Sequence, residues 1–224
     1  MPGDLNSNLN SIRTRINEAC TRSGRGHESV KLIAVSKTHS AAVIAEALEA
    51  GIADLGENKV QEAEGKITEL GRDAAEWHLI GHLQSNKARK AVQLFDVIHT
   101  LDSAELAERL DRICNEEGRE RLDVLIQVDL GGEETKAGVD ENGLPALIDV
   151  VSRCKHLRLR GLMTLPPYFD DPEATRPYFV GLRELRDRYI PGGELSMGMS
   201  HDFEVAIEEG ATMVRVGTAI FGKR

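Results

Sequence analysis

Cysteine is scarce in this 224-residue chain, and Cys20, Cys114 and Cys154 are odd in number and widely spaced. That distribution excludes a disulfide framework or a cysteine zinc site and fits free, packed thiols in a reducing compartment. Long apolar runs are missing too: nothing approaches the roughly 20 residues that a membrane-spanning helix needs. The opening segment, MPGDLNSNLNSIRTRINEAC, has no unbroken apolar stretch of the kind a secretory signal carries. The expectation is therefore a soluble, cytoplasmic protein with no membrane partner. Positive charge is in deficit, with 28 Lys and Arg against 37 Asp and Glu and a net charge of -9. Such a field repels polyanions, and the richest basic stretch, Lys87, Arg89 and Lys90, is short enough to be a solvated helix face. No nucleic-acid partner is expected.

Several signatures are absent as well. No HExxH, paired CxxC, GxSxG, Walker-type phosphate loop or GxGxxG occurs, which leaves metalloprotease, hydrolase, NTPase and dinucleotide readings without their markers. His78 and His82 have a spacing that would join them on a helix, but WHLIGHL reads as a strand, where four residues span roughly 13 Å. That is too far for one ion, and no metal site is expected.

What is present is a regular alternation. Hydrophobic residues make up 41% and charged residues 29%, an ordinary globular balance, and the length suits one large domain over residues 1–224. Leu5, Leu9, Ile12, Ile16 and Cys20 recur at helical intervals behind a candidate Asp4 cap. After this helix, short strand-like runs alternate with helical stretches: KLIAVSKT, ADLGEN, EWHLIGHL, DVIHTLD, LDVLIQVDL, LRLRGLMTL, ELSMGMS and MVRVGTAIFG. Ser40 and Ser103 are candidate caps, Gly51 a helix stop, and Pro145 and Pro172 mark helix starts. Strand–helix alternation implies a parallel sheet, and eight strands are the number that closes a (β/α)8 TIM barrel, although an open doubly wound sheet has the same local signature.

In a parallel α/β barrel the site lies at the carboxyl ends of the strands. Lys37 is there, on the same side of the first strand as Ile33 and Val35, and an inward lysine among apolar neighbours is costly unless it has a function. An unprotonated amine in that position can attack a carbonyl; a lysine reaching out of the strand end is the plain alternative. Arg215 shares a face with Met213 and Gly217, Gly217 permits close backbone approach, and Thr218 adds an N–H and a hydroxyl. Phosphate sites of this fold use the loops after strands seven and eight, where Ser200 and Gly217 lie.

AVSKT, LGEN, WHLIGHLQSNK, HTLDS, RGLM, SMGMSHD and MVRVGTAIFG, in this order from about Lys31 to Gly222, resemble the pyridoxal phosphate homeostasis protein family. The resemblance implies a closed single-domain barrel of the alanine racemase N-terminal type, to which the periodicity adds an extra N-terminal helix. It implies pyridoxal 5'-phosphate (PLP) as cofactor, held as a Schiff base on Lys37. By the same likeness, Ser200, Gly217 and Thr218 form the phosphate cradle, Arg215 faces the pyridine nitrogen, and Asn58, Ile80 and Met163 line the ring pocket. The expected function is a monomeric carrier or buffer of PLP, without a catalytic reaction, that contacts PLP-dependent apoenzymes transiently. An amino-acid racemase is the alternative, but racemases of this fold add a second domain with another acid/base and place a histidine after strand six, where this chain has Leu165. A Schiff-base aldolase is a third reading, separable because it would be colourless.

Overall fold

The computed structural model describes residues 4–132 and 137–222. Helix α1 (Leu5–Arg22) comes first, and then β1 (Lys31–Val35), α2 (Ala41–Glu49), β2 (Asp54–Glu57), α3 (Val60–Leu70), β3 (Glu76–Leu79), α4 (Ala88–Leu94) and β4 (Val97–Leu101). The second half continues with α5 (Ala104–Glu116), β5 (Leu122–Gln127), α6 (Leu144–Arg153), β6 (Leu157–Met163), α7 (Arg176–Tyr189), β7 (Glu194–Met199), α8 (Phe203–Glu208), β8 (Met213–Val216) and α9 (Thr218–Phe221). The strands run in order β1 to β8 and close. Parallel pairing of β8 with β1 seals the barrel, with Lys31 opposite Met213 and Ile33 opposite Arg215.

Period-two alternation sorts the strand residues into two shells. Ala34, Leu55, Trp77, Ile98, Val124, Leu162 and Val214 face the helices and join their apolar stripes in one buried cluster. Ile33, Val97, Leu125, Met163 and Met213 form a second, smaller cluster inside the barrel. The stripe expected for α1 is buried at Leu9, Ile12, Ile16 and Cys20, and this helix packs against α8, α9 and α2. Asp4 stands at the cap position but makes no side-chain cap bond. Ser40 and Ser103 do cap, accepting from the Val43 and Leu106 N–H groups, and Gly51 ends α2 at φ 83°. The three cysteines are free, with Cys20 and Cys114 buried. Among the described residues no helix is long and apolar enough to cross a membrane.

Candidate functional site

Lys37 lies two residues beyond β1, in a turn held by charge. Its neighbour Thr38 has φ 67°, the single left-handed non-glycine among the described residues, a conformation that costs of order 1 kcal/mol or more. The Lys66 ammonium offsets it. Reaching up from α3, it donates to the Ser36 carbonyl at 2.7 Å, Glu57 Oε1 at 2.6 Å and Glu62 Oε1 at 2.7 Å. Ser36 Oγ donates to Glu57 Oε1 at 2.6 Å, and the Thr38 N–H donates to Glu62 Oε1. Burial pushes the Glu57 carboxyl up. For Glu62 burial acts upward, but Lys66 and the Thr38 N–H overcome it and hold the carboxyl below its ordinary value.

On the far side of the barrel mouth, the β7 exit turns tightly. Gly198 has φ 92°, and a Cβ there would lie 2.6 Å from the Ala206 Cβ. Asp202 closes the turn by accepting from the Met199 N–H at 2.7 Å. This turn delivers Ser200 to the end of β8, where its Oγ accepts from the Gly217 N–H at 3.2 Å and the Ala219 N–H at 3.5 Å. The Thr218 N–H opens α9 and has no intrahelical acceptor. Arg215 is 3% exposed; its guanidinium donates to Ser196 Oγ at 2.6 Å and to the Thr164 carbonyl at 2.9 Å. Burial pushes its pKa down to about 10, with the Asp202 carboxylate opposing, so it stays charged at neutral pH.

These groups border one cavity of about 410 Å³ at the carboxyl ends of the strands, within the usual range of about 300–1,000 Å³ for small-molecule sites. Its wall contains Lys37, Asn58, Ile80, Ser200, Arg215, Gly217 and Thr218, all singled out from the sequence. Met163, expected in the same wall, is not there. It is fully buried in the interior cluster of the barrel, two residues before Leu165, which does border the cavity. Val35, Leu165, Tyr168, Met199 and His201 complete the wall, and the Tyr168 ring lies tilted against His201 with centroids 5.5 Å apart. Their place at or just past strand carboxyl ends is the available signal.

Size alone does not mark this site. A hollow of about 440 Å³ includes Arg72, Asp96, Arg119 and Asp123, but its charges are committed: Arg72 pairs with Asp96, and Arg119 donates to the Val92 and Phe95 carbonyls. Within the basic stretch, Arg89 is taken by Glu116 and Glu117 and Lys90 by Glu64 at 2.8 Å. One group of metal-ligand type, Asp54, Glu76 and His78, occurs among the described residues, and the Lys31 ammonium pairs with both of its carboxylates. His82 stands apart, 3.5 Å from Asp102.

A family model described as alanine racemase, N-terminal domain, matches residues 7–224. The pyridoxal phosphate homeostasis protein of Aquifex aeolicus is 45% identical over 221 residues, covering 96% of each chain. This chain belongs to the pyridoxal phosphate homeostasis protein family. The Escherichia coli K12 member is also 45% identical, over 228 residues, with 99% of this chain and 97% of its own length covered. A solved structure of PipY from Synechococcus elongatus, with PLP bound, superposes with a TM-score of 0.85 at 43% identity, covering 98% of this chain and 100% of that one. Alanine racemase of Clostridium difficile, at 18% identity and a TM-score of 0.72, shares the fold; the match covers 57% of that enzyme.

Proposed function

We propose that this chain is a PLP-binding protein of intracellular PLP homeostasis, a carrier or buffer that anchors the cofactor on Lys37. The observation that carries this reading is the convergence in one cavity of an amine, a buried cation and a cluster of hydroxyl and backbone donors. That donor set fits PLP. Lys37 would meet an aldehyde; Ser200, Gly217 and Thr218 would meet a phosphate; Arg215 would reach a polar ring atom; Asn58 and Ile80 would border the ring, with Met163 beneath them in the barrel interior. The family relationship and the PLP held by PipY support the same assignment. Bound PLP supplies an aldehyde that a lysine can capture as a Schiff base, and a ring that accepts electron density. Arg215 limits the second property: a permanent cation at the ring nitrogen disfavours its protonation, so the site holds more than it activates. We place the whole function in a single barrel domain over residues 1–224, acting as a cytoplasmic monomer that releases PLP to apoenzymes by transient contact.

Borohydride reduction of the PLP-loaded protein followed by peptide mapping tests the assignment. A phosphopyridoxyl group is expected on Lys37 and is expected to be absent from Lys37→Ala. Label on Lys31 or Lys87, or none, would refute it. As a carrier the loaded protein should show no measurable exchange of the alanine α-proton in deuterated water. Turnover near 1 per second or faster, roughly the lower end of the enzymatic range, and lost in Lys37→Ala, would replace the carrier by a racemase.

A further inference from the structure

A line of polar side chains runs through the middle of the barrel, where apolar packing is the rule. Arg215 Nη1 lies 2.6 Å from Ser196 Oγ, Ser196 Oγ lies 2.9 Å from His99 Nδ1, His99 Nε2 lies 2.9 Å from His78 Nδ1, and His78 Nε2 lies 3.0 Å from Asp54 Oδ1. Ser196, His99 and His78 are fully buried. Asp54 begins β2, so the line connects the amino-terminal mouth of the barrel to the wall of the cavity at the other mouth. At the amino-terminal mouth the Asp54 carboxylate pairs with the Lys31 ammonium at 2.8 Å.

The two ends set the direction of the bonds they make. A guanidinium only donates and a carboxylate only accepts. Burial opposes ionisation of Asp54, but the bonds from His78 and Lys31 win and bring its pKa down to about 2. Burial, with the Arg215 charge adding to it, drives His99 far below its ordinary value, so that ring is neutral. With one proton on each ring, His78 Nε2–H donates to Asp54, His99 Nε2–H donates to His78 Nδ1, Ser196 O–H donates to His99 Nδ1, and Ser196 Oγ accepts from Arg215. Each N–H and O–H has one acceptor. The reversed order would add a proton to the fully buried His78 ring and leave the Ser196 O–H without an acceptor, both of which burial disfavours.

We propose that Ser196, His99, His78 and Asp54 are positioning residues that form one hydrogen-bond chain of fixed polarity and hold the Arg215 guanidinium at the cavity. The positioning role rests on the PLP reading above; the polarity does not. With the hydroxyl proton of Ser196 committed to His99, its lone pair faces Arg215. The second anchor, from Nη2 to the Thr164 carbonyl, then fixes the plane of the guanidinium. The edge left over is presented to the cavity in one orientation, which a hydroxyl free to rotate would not enforce.

Long-range ¹H–¹⁵N correlation spectra of the cofactor-free protein read the polarity. His78 and His99 are both expected as the Nε2–H tautomer at neutral pH, each with a bare Nδ1. A proton on His99 Nδ1, or a doubly protonated His78, would overturn the chain. The positioning role is read on the PLP-loaded protein. Ser196→Ala should weaken PLP retention roughly tenfold, the size of one lost hydrogen bond to a charged group, and should move the long-wavelength absorption band. His99→Phe should move the band the same way, and Ser196→Thr, which keeps the hydroxyl, should restore both readouts. A merely structural role would lower the melting temperature and leave the band in place. Borohydride labelling at Lys37 with retention and band unchanged in Ser196→Ala would sink the positioning role while leaving the site reading intact. A parent protein that holds no PLP would sink the site reading and the positioning role together, with the spectra still deciding the polarity.

Discussion

At the scale of single residues, position along a strand decides which side chains reach the cavity. Lys37, Ile80, Arg215 and Gly217 each fall at the inward phase of a strand or just past its carboxyl end, where period two projects them to one mouth. Met163 has the right phase but sits one step too deep, and motif membership could not tell a wall residue from the layer below it. Ser200 gives the sharpest residue-level test because its hydroxyl accepts the Gly217 and Ala219 N–H groups. Ser200→Ala and Thr218→Val should each weaken PLP retention by about 1–3 kcal/mol, the range for a hydrogen bond to a charged group, with the barrel still folded. Dialysis of loaded variants, followed by absorbance, measures this. Equal retention in both would place the phosphate elsewhere.

At the scale of elements, all eight strands and the capped helices were readable from alternation and end signals, because both are local. The clamp under the Lys37 turn was not, since it joins residues from β2 and α3 to a turn after β1. One signal for it existed. Val60, Ala63 and Ile67 make the buried stripe of α3, and Lys66 shares that stripe and is 7% exposed. A lysine in an apolar stripe needs partners, and Glu57 and Glu62 are those partners. Lys66→Met removes the cation and leaves two carboxylates without it, which should cost about 3–5 kcal/mol if it behaves as a broken buried pair. It should also slow borohydride-trapped labelling of Lys37, because Thr38 loses the scaffold that holds its left-handed backbone. Urea unfolding and the labelling rate report the two effects; a variant as stable as the parent, with equal labelling, would show the clamp to be incidental.

At the scale of the whole molecule, periodicity left open whether the sheet closes, because closure is a property of β8 meeting β1 and no local window contains both. The interior shows how closure is reconciled with charge. Lys31, Asp54, Glu76, Asp123, Arg160 and Glu194 bond across the amino-terminal mouth, so that end is plugged by ion pairs while the other stays open as a cavity. Asp54 belongs both to this plug and to the buried polar line, and its side chain is 14% exposed. Its pKa falls from 3.8 to about 2 on folding, after burial is overcome by His78 and Lys31. A depressed carboxyl pKa means the folded state releases the proton more readily than the unfolded one. The linked stability is therefore fully present above about pH 4 and is lost as pH falls through about 2, a change of order 2 kcal/mol. Asp54→Asn should be less stable than the parent at neutral pH and should approach it as the pH drops from about 4 to about 2. Urea unfolding at a series of pH values measures the difference. Two curves that stay parallel through that window would mean the Asp54 carboxylate contributes nothing to the acid stability of the barrel.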